Sequence, residues 1–227
     1  MAASWTPLTV ACDFGQVEIV SLLLTKDGID VNLGIETTPL ITAVHRGLVE
    51  VVEFLLARDE LDPNIVDHCG EHVLGYAASL GHIDIVRLLL DHPDVDVNHQ
   101  NGFGRTALCQ AAYYSSLEAA KLLLERKDAD INLPDNNGRT VLHLAFQSNC
   151  LALVNLLLKE DDIDLNAKDN NGYTPLGFSL ACQFSSRSRA IVRSLKLLLS
   201  HWDTVSMCLL VGMVSAFLAI LWTIGIL

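Results

Sequence analysis

The residues of this sequence whose types could do chemistry stand closest together in the stretch HCGEH, which ends at His72. His68, Cys69 and His72 offer two imidazoles and a thiol, which are ligands that Zn²⁺ and other soft cations prefer. A structural interpretation accounts for the same residues, because His72 stands where the chain repeatedly places Thr and the other two precede it in a turn. We therefore predict no metal site and no bound cofactor.

Patterns that support catalysis or nucleotide binding are missing from the sequence. It contains no Gly-Lys pair of a phosphate loop, no G-x-S-x-G elbow and no G-x-G-x-x-G after a strand. Its carboxylates recur at regular intervals, as in Asp62, Asp96 and Asp130, so a repeat explains their spacing without catalysis. The sequence therefore predicts that the protein is not an enzyme.

Charge and cysteine usage narrow the class of protein further. The 227 residues include 27 acidic and 15 basic side chains, which gives a formal net charge of −12. An acidic chain repels phosphate backbones, so we expect no nucleic-acid partner. The six cysteines never form a Cys-x-x-Cys pair, and their wide spacing favours reduced thiols in a cytosolic protein.

The elements that must position these residues follow from an internal repeat. Six short patterns of the TPL type occur along the chain, and apolar segments such as IDIVRLLL follow them. The leucines that mark the six patterns, 32 or 34 residues apart, are Leu8, Leu40, Leu74, Leu108, Leu142 and Leu176. A connector of the type VDVN closes each of the first five units. Landmarks that keep one register along most of the chain indicate a repeat protein.

Each unit contains the signals of two helices joined by turns. Thr followed by Pro favours a helix start, because the Thr hydroxyl can accept a backbone N–H and Pro has a suitable φ. The residue seven positions after the marker leucine suits a tight turn at the helix end. In the first five units that residue is Gly15, Gly47, Gly81, Ser115 or Asn149. The segment IDIVRLLL has the apolar spacing of a second, amphipathic helix, and NNG at residues 136–138 favours a hairpin turn.

The stretches DNNGRTVLHLA and DNNGYTPLGFS resemble the ankyrin repeat, whose signature is T-P-L-H-x-A with a period near 33. The resemblance implies an all-α solenoid of stacked helix-turn-helix units with hairpin-like turns, and it places His143 in a hydrogen-bond network between repeats. It covers 4–203, with six units at approximately 4–32, 33–64, 65–98, 99–132, 133–166 and 167–203. A hydrophobic segment, 204–227, follows and predicts a C-terminal helix.

The resemblance also implies a function, because members of this family bind protein partners through the hairpin tips and inner helices of a concave face. Carried onto this sequence, those positions include Phe14, His45, Arg46, Glu71, Phe103, Arg105, Tyr113, Tyr114, Arg139 and Tyr173. The centre of the array is rich in Arg and Tyr, which anchor many interfaces, although one of the adjacent tyrosines could instead pack over the next repeat. We expect a non-catalytic protein-protein interaction module whose partner the sequence does not name. Two alternatives stay open: a regulatory or substrate-adaptor subunit of an enzyme complex, and a fragment of a longer structural ankyrin array.

The segment 204–227 carries none of the charged residues of the chain. As a helix, residues 205–227 would extend about 34 Å, enough to cross a hydrocarbon core of about 30 Å. The basic residues upstream, which favour repeats on the cytoplasmic side of a membrane, are Arg187, Arg189, Arg193 and Lys196. Three interpretations stay open: a membrane anchor, a packed cap, and an artefact of sequence prediction, since the repeat register breaks off after Asp203.

Overall fold

The computed structural model describes residues 5–26, 28–34 and 37–183, and its regular elements in these ranges are helices. The chain divides into two compact units, Met1–Pro175 and Leu176–Leu227. Within the described part of the first unit, the helices in chain order are α1 Pro7–Asp13, α2 Val17–Leu24, α3 Pro39–Arg46, α4 Val49–Leu56, α5 Val73–Leu80, α6 Ile83–Asp91, α7 Ala107–Tyr113, α8 Leu117–Leu124, α9 Val141–Gln147 and α10 Leu151–Leu157. The described residues of the second unit lie in α11, Pro175–Gln183.

The first helix of each unit begins where the sequence predicts it. Thr6, Thr38 and Thr106 each accept the backbone N–H of the residue three positions later, at 3.0, 3.3 and 3.2 Å. Thr140 forms a reciprocal capping box with His143, in which each side chain bonds the other residue's backbone N–H. Such caps stabilise a helix by about 1 kcal/mol and fix the direction in which it starts. The predicted start of α11 at Pro175 is confirmed as well.

Stacking of equivalent helices from successive repeats builds the core of the compact unit Met1–Pro175. Helix α5 packs against α3 and α7, and α6 packs against α4 and α8. The marker leucines Leu8, Leu40, Leu74, Leu108 and Leu142 are buried, as are the alanines three positions after them. The small side chains let neighbouring helices approach closely, and replacing a buried leucine by Ala costs roughly 2–5 kcal/mol. The all-α solenoid of stacked helix pairs is thus confirmed.

A left-handed residue follows the first helix in each of the first five units, as the sequence predicts. Gly47 and Gly81 both have φ of 71°. Ser115 and Asn149 take the same conformation with φ of 60° and 54°, although they carry side chains. Their backbone is strained, because a Cβ crowds the following carbonyl in this region. The turn is therefore required by the fold even where glycine is absent.

The connectors form a ladder of asparagines, which explains the recurring VDVN motif. Asn98 donates from Nδ2 to the carbonyl of Asp128 at 2.6 Å, and its Oδ1 accepts the N–H of Asp130 at 2.7 Å. Asn32, Asn64 and Asn132 make the same pair of bonds to the next connector. The aspartate of each motif accepts the N–H of its own asparagine, as Asp96 does at 2.9 Å. The motif therefore joins consecutive units along one edge.

The predictions for the end of the chain fall on residues outside the described ranges. These are the second helix of unit six, the basic cluster upstream of the tail, and the hydrophobic segment 204–227. Among the helices that the structure describes, none has both the length and the apolar character needed to cross a membrane.

Candidate partner-binding site

Hairpin tips form one side of the predicted site, and those of units three to six are built alike. An Asp or Asn opens each hairpin, and its side chain accepts the N–H groups two and four residues later, at 2.7–3.0 Å. The opening residues are Asp67, Asn101, Asp135 and Asp169. Backbone bonds also join tip to tip, since Asn136 donates its N–H to the carbonyl of Phe103 at 2.9 Å. The tips therefore form a continuous row that holds exposed side chains in fixed positions.

Arg105 and Tyr113 pack on each other at the centre of the array. The guanidinium carbon of Arg105 lies 4.3 Å from the centroid of the Tyr113 ring, which is the geometry of a cation–π contact. Its Nε lies 3.5 Å from Oδ2 of Asp135 in the next hairpin, and only 16% of the Arg105 side chain is exposed. Tyr113 is half-buried and packs against the core. The stack is thus already ordered before any partner arrives.

Two large aromatic side chains project from this stack or its hairpin. Tyr114 is 58% exposed, and its ring meets that of Tyr113 edge-on with centroids 5.1 Å apart. Phe103 stands at the hairpin tip with 65% of its surface exposed. We call Phe103, Arg105, Tyr113 and Tyr114 the central patch. The alternative that one tyrosine packs rather than projects describes Tyr113, whereas Tyr114 is available for contact.

The predicted residues of the first two units lie at the ends of their inner helices. Phe14 is the C-cap of α1 and is exposed. Arg46, at the end of α3, donates from Nε and Nη2 to Oδ1 of Asp13 at 3.0 and 2.8 Å. His45 meets the ring of Tyr76 in unit three edge-on, with centroids 5.8 Å apart. These contacts bring His45 and Arg46 onto one surface with neighbouring units.

Arg139 and Tyr173 occupy the residue before the helix cap in units five and six, and both are half-buried. Their backbone N–H groups donate to Asp135 and Asp169 at 2.9 and 2.8 Å. His143 donates from Nε2 to the carbonyl of Tyr173 at 3.0 Å, which confirms the predicted network between repeats. Burial lowers the pKa of His143 below its usual range, against the carbonyl bond that raises it. The imidazole therefore acts as a neutral link between units.

Glu71 lies inside the array, unlike the other predicted contact residues. Only 7% of it is exposed. Its Oε2 accepts hydrogen bonds from Nδ2 of Asn101, at 2.5 Å, and from Nε2 of Gln110. A Cβ at Gly75 would lie 1.9 Å from Oε1 of Glu71, so the absence of a side chain there makes room for the carboxylate. The structure thus gives Glu71 a role in joining units three and four.

His72 does not join His68 and Cys69 of HCGEH in a common cluster of possible metal ligands. His72 caps α5, because its Nδ1 accepts the N–H of Gly75 at 3.2 Å while its Nε2 donates to the carbonyl of Asp96 at 3.2 Å. Ligand atoms of Asp67, His68 and Cys69 do lie within 4.8 Å of one another. However, both oxygens of Asp67 already accept hydrogen bonds from the hairpin amides and from Tyr76. His72 therefore fills the capping role that Thr has in other units, through its Nδ1.

The buried thiols have no nucleophilic character. Cys12 and Cys109 are buried, and burial raises the pKa of Cys12 to about 12. Burial also raises the pKa of Cys109, with smaller opposing contributions from its bonds to Thr106. A thiol must lose its proton to attack an electrophile, so both side chains serve as small core residues.

Comparison with known protein families and structures finds similarity to ankyrin repeats. A family model described as ankyrin repeats (3 copies) matches residues 2–67, 42–135, 74–169 and 128–204. No curated protein sequence gives a significant match. Among solved structures, the ankyrin repeat domain of Bcl-3, described as a unique member of the IkappaB protein family, is similar with a TM-score of 0.70 and 30% identity, over 78% of this chain and 80% of that one. Since 573 chains of known structure match, the fold alone selects no partner.

Proposed function

Because this chain belongs to the ankyrin-repeat family, we propose that it is a non-catalytic interaction module that binds a protein partner at the centre of its array. Ankyrin repeats generally mediate protein–protein interactions, and the Bcl-3 domain is a member of the same family. The finer proposal concerns where the partner binds. It rests on the central patch, in which the exposed ring of Tyr114 packs on an ordered Arg–Tyr stack and Phe103 is exposed at the hairpin tip.

The stack supports binding because its side chains are already ordered, which lowers the entropic cost of binding a partner. Ordering a long side chain at an interface costs about 0.5–1.5 kcal/mol, and Arg105 is already held by Tyr113 and Asp135. Tyr114 and Phe103 then offer large apolar surfaces, which is the character of residues that dominate binding energy. In this proposal Tyr114 and Phe103 are the direct anchors, and Arg105 positions Tyr113, which packs against Tyr114.

Residues of the neighbouring units extend the proposed surface to both sides. Phe14 and the pair His45 and Arg46 lie on the N-terminal side, and Arg139 and Tyr173 lie on the C-terminal side. Unit one also carries exposed aromatic rings, since Phe14 is 73% and Trp5 46% exposed. We therefore expect Phe14 to add to the affinity, whereas the other flanking residues tune specificity.

Site-specific photo-crosslinking in the full chain tests this proposal. A benzophenone amino acid replaces Tyr114 or Phe103 in one set of variants, and Leu151 in the control. Leu151 is 69% exposed at the start of the outer helix α10, so it matches the anchors in exposure and apolar character. We expect positions 103 and 114 to crosslink to the same protein in cells, and position 151 to miss it.

The identified partner then allows affinity to be measured on purified proteins. Tyr114→Ala should weaken binding at least about tenfold, as expected for loss of an interface anchor worth roughly 1.4 kcal/mol or more. Leu151→Ala should leave the affinity unchanged. Equal crosslinking from position 151, or an unchanged affinity for both Tyr114→Ala and Arg105→Ala, would refute the central patch as the binding site.

We propose separately that the segment 204–227 holds the repeats on the cytoplasmic side of a membrane. The support is its length and its lack of charge, together with the basic residues before it. Membrane fractionation of the full chain and of a chain shortened to residue 203 tests this. An unchanged membrane-bound fraction after removal of the segment would exclude the anchor.

A further inference from the structure

A pocket of about 340 Å³ opens on the inner-helix side of units one to three. Trp5 and the end of α1 line it from unit one, α3 lines it from unit two, and Tyr76 and the hairpin residue Asp67 line it from unit three. It lies apart from the central patch in unit four. Its volume suits one side chain of a partner, and the chemistry of its walls indicates which kind.

The pocket carries a formal negative charge. Asp13 and Asp67 contribute two carboxylates, and Arg46 contributes one guanidinium, so the sum is −1 when histidine is counted as neutral. The guanidinium is already neutralised, because two of its nitrogens donate to Asp13 at 2.8 and 3.0 Å. Among the ion pairs of the residues that the structure describes, none involves Asp67. Asp67 is thus the carboxylate of the pocket without an ion pair, and His68, which also lines the pocket, lies beside it.

Hydrogen bonds keep Asp67 ionised. Burial alone would raise its pKa, but the bonds from the Tyr76 hydroxyl and from the backbone of Glu71 and Cys69, together with the nearby His68, outweigh it and lower the pKa overall. The same short contact fixes the Tyr76 ring, and burial together with Asp67 raises the pKa of the Tyr76 hydroxyl. Near neutral pH the pair therefore presents a carboxylate and a neutral phenol ring side by side.

Aromatic rings supply the other walls. Trp5 lines the pocket and is 46% exposed, and the rings of His45 and Tyr76, which line it too, are nearly perpendicular with centroids 5.8 Å apart. Trp and Tyr attract cations through the negative face of the ring, by about 0.5–2 kcal/mol. Rings next to an uncompensated carboxylate form a site for an organic cation, whereas an anion would meet Asp67 unscreened.

We propose that this pocket binds the side chain of an arginine or lysine presented by a partner protein. The inference rests on the proposed function, since a protein partner must supply the side chain. It assigns that partner a basic residue that reaches units one to three while the partner contacts Tyr114 in unit four. The acidic chain, with a net charge of −12, favours the approach of such a partner.

The test uses two matched small probes on the full chain, so it needs no identified partner. N-acetyl-arginine amide carries the cation, and N-acetyl-citrulline amide has the same shape without charge. Nuclear magnetic resonance of ¹⁵N-labelled protein follows the indole N–H of Trp5. We expect saturable shifts of that signal with the arginine probe, at least about tenfold weaker binding of the citrulline probe, and none with N-acetyl-aspartate amide.

Asp67→Asn removes the charge, and with it the acceptor for the Tyr76 hydroxyl, without opening the hairpin. Unit four shows that the exchange is tolerated, because Asn101 occupies the equivalent position and accepts the same two backbone N–H groups. The variant should weaken the arginine probe about tenfold, whereas Asp161→Asn, the same exchange in an exposed connector, should not change it. Equal binding of arginine and citrulline probes, or undiminished binding to Asp67→Asn, overturns the cation site. The proposed function fails separately, through the Tyr114 and Phe103 variants.

Discussion

The exchange Asn101→Asp tests the polar contact that joins units three and four. In the next junction Arg105 faces Asp135 thirty positions later, with 3.5 Å between Nε and Oδ2. Between units three and four the polarity is reversed, because Glu71 accepts and the amide of Asn101 donates, 2.5 Å from Nδ2 to Oε2. Asn101→Asp would place a second carboxylate against the first in a buried contact.

The expected fall in the free energy of unfolding follows from the burial of the contact and from the hydrogen bonds that the hairpin retains. Glu71 and Asn101 are 7% and 6% exposed. The Oδ1 position still accepts the N–H groups of Phe103 and Arg105, so the hairpin itself survives. A lost hydrogen bond to a charged group costs about 1.5–3 kcal/mol, and leaving a buried charge without its partner costs roughly 3–5 kcal/mol. Since Gln110 still donates to Glu71, we expect the free energy of unfolding to fall by about 3 kcal/mol.

Urea unfolding of the full chain, followed by far-ultraviolet circular dichroism, measures this loss. Hydrogen exchange in α5 and α7 reports on the same junction, and it remains valid if the array unfolds unit by unit. The control is Asn137→Asp, which makes the same chemical change at an exposed hairpin tip. It should change the free energy of unfolding by less than about 0.5 kcal/mol.

A second substitution tests the assigned polarity. Glu71→Gln gives the junction a new donor of nearly the same size beside Gly75, so the combination with Asn101→Asp should recover all but about 1 kcal/mol. The reasoning is wrong if Asn101→Asp lies within about 1 kcal/mol of the wild type, or if Glu71→Gln brings no recovery in that background.

Three further predictions concern stability. Burial lowers the pKa of His143, so the folded state resists protonation, and stability falls as pH drops below the unfolded pKa of about 6.5. Thermal melts at pH 7.5 and 5.5 should therefore show a smaller loss of stability for His143→Gln than for the wild type. An equal loss would contradict this. Asn98→Ala removes both ladder bonds and should cost about 1–3 kcal/mol in urea titrations, against less than 0.5 if the ladder is unimportant. Ser115→Gly relieves a positive φ and should stabilise by roughly 0.5–1 kcal/mol, whereas a lower melting temperature would contradict it.

The repeat signals were sufficient to predict the fold because each is local. A cap such as Thr106 or a left-handed residue such as Ser115 depends on its own backbone and a few neighbours, so its position in the register identifies it. The inter-repeat role of His143 was predictable in the same way, since the resemblance assigns it to one signature position. Local chemistry repeated in register therefore specified the helices and their order.

The side-chain environment of the candidate site was less predictable, because it depends on residues in the next unit. The position before the helix cap can face a partner or the neighbouring hairpin, and the residue thirty positions later decides between them. Glu71 turns inward because Asn101 and Gln110 donate to it, whereas Arg105 is held between Tyr113 and the next hairpin. Comparing residues thirty apart would have revealed both pairings in the sequence.

The reversed junction limits how this array could have grown by duplication. The connectors place no such limit, because each connector asparagine carries both the donor and the acceptor that the next connector needs. Unit three does, since a tandem copy of itself would bring the equivalent of Asp67 opposite Glu71. Two carboxylates would then meet where Asn101 now donates. Unit three and unit four are therefore a matched pair that must be inherited or transplanted together.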